Sequence, residues 1–273
     1  MSIVRASPAD RTRRLIVLAC AIFAVVIGQW QALTGWGQTT QEFSADSDAT
    51  LRVAGWAFSI WGVIYTWLLV YAVRQVLPQT GESEMIHRFG WPSVIALLCI
   101  GWWIPAMAFD VEWATIVLIV SGAMALIAPL LVHARLVAEL PSRDRDRWMT
   151  AWPLGLLAGW LTIASVVNII TVVTGNGQLP DALSPTAWAM LGVAFVTAMA
   201  VFVTWRTRLL AYSLPIAWGL TGVFGAEQER NGALAFTALG AAALILVVGV
   251  ILSLRLSRRG DVTARPTAAG DRP

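Results

Sequence analysis

The sequence predicts an all-α protein, a polytopic bundle of about eight transmembrane helices with both termini in the cytoplasm. Hydrophobic residues make up 58% of the chain, charged residues only 13%, and the mean hydropathy is +0.69. This composition is typical of helical membrane proteins with many spans. Two further observations support it: apolar runs of membrane-spanning length recur along the chain, and arginines are distributed unevenly between the loops.

Eight apolar segments approach the roughly 20 residues that a helix needs to cross the hydrocarbon core. The seventh segment is short and carries Pro215 near its middle, so it departs most from a regular span. The first segment follows Arg13 and Arg14 but has no small-residue cleavage site, so we expect a retained helix rather than a signal peptide. The segments are 15–35, 53–74, 91–110, 113–136, 149–173, 186–205, 209–225 and 232–254.

The arginines predict the topology. If the N-terminus is cytoplasmic, all but two of the arginines lie on the cytoplasmic side, and the exceptions are Arg52 and Arg230. Residues 1–14 then form a cytoplasmic N-terminal segment, and the polar residues 260–273 form a disordered cytoplasmic tail. We therefore expect a multi-pass protein of the plasma (inner) membrane of a bacterium. Because topology explains the basic net charge, we expect no nucleic-acid partner.

Tryptophan is the most distinctive residue of the chain, which contains 15 of them. About half lie at the ends of the predicted spans, where indoles anchor helices at the lipid headgroups. The others lie deeper, where an indole N–H needs a partner within the protein because lipid offers none. The deep tryptophans are Trp30, Trp61, Trp67, Trp102, Trp103, Trp160 and Trp218.

Two stripes of side chains contain deep tryptophans. Phe58, Trp61 and Tyr65 share one helical face of the second span. In the fifth span, Trp160 is followed at four-residue intervals by a small residue, Ala164, and by Asn168. An asparagine facing lipid is costly, so Asn168 should point into the bundle. Such stripes arise from helix packing as well as from pockets, and periodicity alone leaves both interpretations open.

The same stripes resemble motifs of a known family. Phe58-x-x-Trp61-x-x-x-Tyr65 resembles the second helix of the translocator protein/tryptophan-rich sensory protein (TspO/MBR) family, and Trp160-x-x-x-Ala164-x-x-x-Asn168 resembles its fifth helix. The resemblance implies a five-helix unit at 15–173, followed by a three-helix extension at 174–259. The chain lacks the family's proline-rich signature between the first two helices and has Cys99 where the family has asparagine. The family is associated with tetrapyrroles, sterols and related hydrophobic ligands.

These observations predict an integral membrane receptor that binds a hydrophobic, planar aromatic ligand such as a tetrapyrrole. An uncoupled transporter of a small hydrophobic metabolite is the alternative, and light- or redox-linked degradation of a bound tetrapyrrole is a third. Membrane lipid and the hydrophobic small molecule are the predicted partners, and a homodimer is left open. The predicted ligand-binding residues are Phe58, Trp61, Tyr65, Trp102, Trp103, Trp160, Ala164, Asn168 and Trp30.

The sequence predicts no catalytic residues, no metal site and no obligatory cofactor. His87 and His133 have no cysteine or carboxylate partner at metal-ligand spacing, and neither a phosphate-binding loop nor a nucleophile elbow is present. We expect Glu227 and Glu229 to be solvated in an outer loop. The alternating arginines and aspartates of 139–148 are expected to pair with one another in a solvated loop.

Overall fold

In a computed structural model, residues 8–46, 51–77 and 83–263 are described, and all their regular structure is helical. The predicted all-α bundle is confirmed. A 3₁₀ turn at Gly55–Ser59 precedes α3, and a π-helical turn at Arg147–Ala151 precedes α7. The α-helices are α1 (Pro8–Thr34), α2 (Thr40–Asp46), α3 (Ile60–Val76), α4 (Glu84–Ala108), α5 (Glu112–Val132), α6 (Ala134–Glu139), α7 (Trp152–Gly175), α8 (Pro185–Thr207), α9 (Leu210–Glu227) and α10 (Gly232–Thr263).

The two predicted terminal segments lie partly outside the described residues. Residues 1–7 and 264–273 are not among them. Where the structure does describe these segments, it is helical: α1 begins at Pro8, and α10 continues to Thr263, beyond the predicted boundary at 260.

Seven of the described helical segments are long and apolar enough to cross a membrane, so the chain is an integral, multi-pass membrane protein. They match seven of the eight predicted segments. The remaining one corresponds to α9, which has 18 residues, including Pro215, and is not among the seven. The seven are Asp10–Thr34, Gly55–Val76, Glu84–Ala108, Glu112–Val132, Arg147–Gly175, Pro185–Thr207 and Gly232–Leu254.

The contacts of α9 nevertheless extend from one end of the bundle to the other. Beside its first residue, the guanidinium of Arg147 donates a hydrogen bond to the carbonyl of Arg208 at 3.2 Å. Near its far end, the backbone N–H of Ala54 donates to the carbonyl of Gly222 at 3.0 Å. Arg147 precedes α7 and Ala54 precedes α3, and these two helices begin at opposite ends of the bundle. Hence α9 runs the length of the bundle. That it forms an eighth membrane span stays a prediction, as does the cytoplasmic location of the termini.

Close packing joins α9 to α7. A Cβ atom added to Gly159 would lie 2.0 Å from the carbonyl oxygen of Tyr212, and one added to Gly155 would lie 2.6 Å from a methyl carbon of Leu209. The two hydroxyls of Thr162 and Tyr212 are hydrogen-bonded at 2.7 Å. The Gly-x-x-x-Gly sequence of α7 therefore allows close contact within the chain, as such motifs do between membrane helices. It attaches the predicted three-helix extension to the five-helix unit.

The arginine- and aspartate-rich loop before α7 corrects one expectation. Its Asp146 pairs with Arg74 of α3 at 2.6 Å, and both side chains are largely buried. Arg74 also donates to the hydroxyl of Thr150 at 2.8 Å. Arg147 is buried and donates to the carbonyl of Leu140 at 3.2 Å. The prediction of a self-paired, solvated loop is wrong here, because these charges bind groups at the ends of the helices.

Glu227 corrects another expectation. This carboxylate is fully buried at the end of α9, whereas Glu229 is exposed as expected. One oxygen of Glu227 accepts a hydrogen bond from the backbone N–H of Arg52 at 2.9 Å, and the other lies 3.9 Å from Nε of Arg230. Glu227 is buried because the last turn of α9 packs against the chain that leads into α3. It anchors that segment rather than facing solvent.

Candidate ligand-binding cavity

A cavity lies among the helices, next to the connection between α1 and α3. An adjoining cavity shares several of its walls and adds Trp61, Ile100 and Leu161. The larger cavity is lined by Thr40, Phe43, Ser44, Val53, Phe58, Trp103, Ile119, Trp160, Ile163, Ala164, Val167, Asn168, Thr171 and Gly219. Helices α2, α4, α5, α7 and α9 therefore all contribute to it.

The short helix α2 covers one side of the cavity, and its sequence explains why it forms. The backbone N–H of Thr39 donates to the Glu42 carboxylate at 2.6 Å, while the N–H of Glu42 donates to the Thr39 hydroxyl at 3.2 Å. This reciprocal pair is a capping box, which satisfies the first backbone donors of a helix. Hydrogen bonds to the Glu42 carboxylate from the backbone N–H and the side-chain hydroxyl of Thr39 lower the pKa of Glu42 below its ordinary value. One residue later, Phe43 packs edge-on against Trp103, with ring centroids 6.0 Å apart.

Trp160 is the central aromatic wall. Its ring meets those of Phe58 and Trp61 nearly at right angles, each at a centroid distance of 6.1 Å. Trp61 in turn stacks on Tyr65 at 4.9 Å. Tyr65 is buried behind Trp61 and is not part of the lining of either cavity. The motif of α3 and the motif of α7 thus meet at one place, and they present aromatic rings in several orientations around a shared space.

Asn168 connects three helices beside the cavity. Its side-chain oxygen accepts a hydrogen bond from the indole N–H of Trp103 at 2.9 Å, and its amide nitrogen donates to the hydroxyl of Thr115 at 2.8 Å. The Thr115 hydroxyl donates to the carbonyl of Glu112 in the first turn of α5. All three side chains, Trp103, Thr115 and Asn168, are buried. Because both its side-chain oxygen and its side-chain nitrogen are hydrogen-bonded, Asn168 fixes the positions of α4, α5 and α7 relative to one another.

The structure brings most of the sequence-predicted residues together. Two of them lie elsewhere: Trp102 packs against Phe23 at 5.6 Å and Trp30 against Trp36 at 5.9 Å, and both are 56% exposed on the outside of the bundle. Successive residues of a helix point about 100° apart, so Trp102 faces outward when Trp103 faces inward. The predicted residues that line a cavity are Phe58, Trp61, Trp103, Trp160, Ala164 and Asn168.

Two further deep tryptophans stabilise the bundle away from the cavity. The indole N–H of Trp67 donates to the carbonyl of Trp148 at 3.0 Å, and that of Trp218 to the carbonyl of Ala57 at 2.8 Å. Each bond joins two segments distant in the sequence. Although neither side chain is fully buried, each indole N–H has a hydrogen-bond partner within the protein.

Helices α2, α5 and α9 also line the cavity, although none of the predicted site residues lies on them. The capping-box sequence from Thr39 to Glu42, followed by Phe43, was the available signal for α2. No comparable signal marks Ile119 of α5 or Gly219 of α9. A single apolar or glycine residue in a membrane helix does not reveal which neighbour it faces.

The lining of both cavities consists of apolar, aromatic and uncharged polar side chains. Binding sites for hydrophobic small molecules have this composition, with a few polar groups that orient the ligand. Among the residues that the structure describes, no group of three or more histidine, cysteine or acidic side chains is placed to hold a metal ion. The arrangement is chemically suited to holding an apolar aromatic molecule.

Fold and cavity together define an all-α, multi-pass membrane protein with an aromatic space between its helices. A family model described as TSPO-like protein matches residues 14–251, which is most of the chain. The chain therefore belongs to the TSPO-like family, as its motifs predicted. The matched range includes the predicted five-helix unit and all but the last eight residues of the three-helix extension. No curated protein and no solved structure matches the chain.

Proposed function

We propose that this TSPO-like protein is a membrane receptor that binds a hydrophobic, planar aromatic ligand of the tetrapyrrole type. The ligand occupies the space between α2, α4 and α7, in the plasma (inner) membrane of a bacterium. The observation that carries the proposal is the position of Trp160, which lines both cavities and meets the rings of Phe58 and Trp61.

The chemistry of the lining supports this function: it is mostly apolar and aromatic, with a few uncharged polar groups. Aromatic side chains offer a planar ligand large contact areas and favour offset-stacked or edge-on geometry. The fixed network around Asn168 keeps Trp103 in place, so one wall is preorganised for binding.

Tryptophan fluorescence of the purified protein in detergent tests the proposal. Protoporphyrin IX dimethyl ester and octaethylporphyrin, two porphyrins without a carboxylate, should quench it saturably, since both absorb where indoles emit. Trp160→Ala should weaken the apparent affinity, because it removes an aromatic wall of both cavities. Trp102→Ala is the matched control, because this indole lies on the outside of the bundle. Quenching no greater than that caused by a size-matched inert lipid would refute the proposal.

Two further measurements separate a receptor from the alternative functions. In reconstituted vesicles, a receptor binds protoporphyrin IX dimethyl ester without moving it across the bilayer, whereas flux that is lost in the Trp160 variant would indicate transport. Under illumination, a receptor returns the porphyrin unchanged. A new product that disappears on replacement of Trp61 or Trp160 would indicate degradation instead.

A further inference from the structure

Ser44 is the one cavity-lining side chain whose polar atom is fully enclosed and yet has no hydrogen-bond partner among the described residues. The residue is only 5% exposed and lies in the last turns of α2. A buried hydroxyl without a partner is costly, and in native proteins such a group calls for a specific explanation. A hydrogen bond to a bound molecule would supply one.

The other residues that line the cavity indicate whether such a molecule is charged. The two polar ends of Asn168 are already bonded to Trp103 and Thr115. The other polar lining residues, Thr40 and Thr171, carry hydroxyls, and neither cavity is lined by a charged side chain. A carboxylate buried in such surroundings would lose its hydration without gaining a counter-ion, which is strongly unfavourable.

We propose that Ser44 is a specificity-determining residue, and that the cavity selects an uncharged aromatic ligand carrying a hydrogen-bonding group that contacts the Ser44 hydroxyl. This inference rests on the proposed function and specifies its ligand class. In this proposal, Trp160, Phe58 and Trp103 make the apolar contacts with the ligand, and Ser44 of α2 makes the polar contact.

Three probes with the same ring system test the proposal: anthracene, 9-anthracenemethanol and 9-anthracenecarboxylate. Each absorbs tryptophan emission, so quenching of the full-length protein in detergent reports binding. The wild type should bind 9-anthracenemethanol at least as tightly as anthracene, and the carboxylate at least tenfold more weakly than the alcohol. Ser44→Ala should weaken binding of the alcohol about two- to tenfold, the range for one neutral hydrogen bond, and leave anthracene unchanged.

Ser165→Ala is the matched control. The Ser165 hydroxyl is buried in α7 but donates to the carbonyl of Leu161 in its own helix, and it does not line either cavity. This variant should bind all three probes as the wild type does. Comparing one probe between two variants also cancels its partition into the detergent.

Other outcomes would overturn the inference in distinguishable ways. Equal weakening of anthracene and 9-anthracenemethanol by Ser44→Ala would refute the role of the hydroxyl and leave the binding function standing. Carboxylate binding as tight as that of the alcohol would refute the uncharged ligand class. If no probe, and neither porphyrin, quenched saturably, the proposed function and this inference would both fail.

Discussion

The indole N–H of Trp103 donates a hydrogen bond to the side-chain oxygen of Asn168, 2.9 Å away, and thereby joins α4 to α7 at the wall of the cavity. Both residues are buried, and the amide nitrogen of Asn168 also donates a hydrogen bond to the hydroxyl of Thr115 in α5. A polar side chain in a membrane bundle is stable when it is bonded to another helix. Here the bond also fixes the aromatic ring that Phe43 of α2 contacts.

Replacing Asn168 with leucine should destabilise the protein. The change removes two interhelical hydrogen bonds and leaves the Trp103 N–H without its partner. We expect a loss of about 1–2 kcal/mol, because hydrogen bonds between membrane helices contribute modestly. Thermal unfolding in detergent measures this loss of stability. Thr197→Val is the control, since the Thr197 hydroxyl bonds only within its own helix. Equal melting temperatures for the two variants would contradict the structural role of Asn168.

Replacing Gly159 with alanine should separate α7 from α9. The added methyl group would meet the Tyr212 carbonyl at 2.0 Å, and backbone cannot move aside as a flexible side chain can. We expect a loss of about 1–3 kcal/mol from overpacking. At Gly240 of α10 an added Cβ meets nothing within 4 Å, so Gly240→Ala should be neutral or slightly stabilising. If the two variants melted alike, the close contact between α7 and α9 would be refuted.

The Arg74–Asp146 pair should be sensitive to the removal of one partner. Asp146→Asn removes a carboxylate that pairs with a largely buried guanidinium, which typically costs about 3–5 kcal/mol. The exposed pair of Arg88 and Glu84 provides the comparison, and Glu84→Gln should change stability by less than about 1 kcal/mol. Denaturation of both variants in detergent measures the difference. A small effect of Asp146→Asn would show that water reaches this end of the bundle.

The capping box of α2 should make ligand binding depend on pH. Hydrogen bonds from Thr39 lower the pKa of Glu42 below its ordinary value of 4.5. The ionised carboxylate therefore favours the folded α2 above pH 4.5, and this contribution disappears as the pH falls through the lower pKa of the folded state. Affinity for anthracene, an uncharged probe, should decrease in that acidic range. In Glu42→Gln this decrease should be absent, and an unchanged pH profile in that variant would contradict the prediction.

Much of the fold and part of the site could be predicted from the sequence because membrane helices leave strong local signals. Apolar length located the spans, and the spacing of Phe58 and Trp61 and of Trp160 and Asn168 placed these residues on helix faces that meet. Which neighbouring indole faces inward, Trp102 or Trp103, depends on the rotation of α4 within the bundle. That rotation is set by contacts with other helices, and local sequence does not encode it.

The parts that were missed depend on long-range packing. Glu227 can be buried because its carboxylate accepts a hydrogen bond from the backbone N–H of Arg52, 175 positions earlier in the chain. Gly219 reaches the cavity because α9 packs closely on α7. Neither relationship leaves a periodic pattern in the sequence. Asp146, in the loop before α7, was likewise assigned to the arginines of its own loop because its partner, Arg74, lies on a distant helix.

Filling the cavity tests the central claim most directly. Ala164 lines both cavities, so Ala164→Phe should occupy the space and abolish saturable quenching by protoporphyrin IX dimethyl ester and by 9-anthracenemethanol. Ala198 is exposed on α8, and Ala198→Phe should bind both molecules as the wild type does. Melting temperatures in detergent establish that both variants are folded. Loss of binding in the folded Ala164 variant alone is the predicted result; binding of wild-type affinity in that variant would contradict the account.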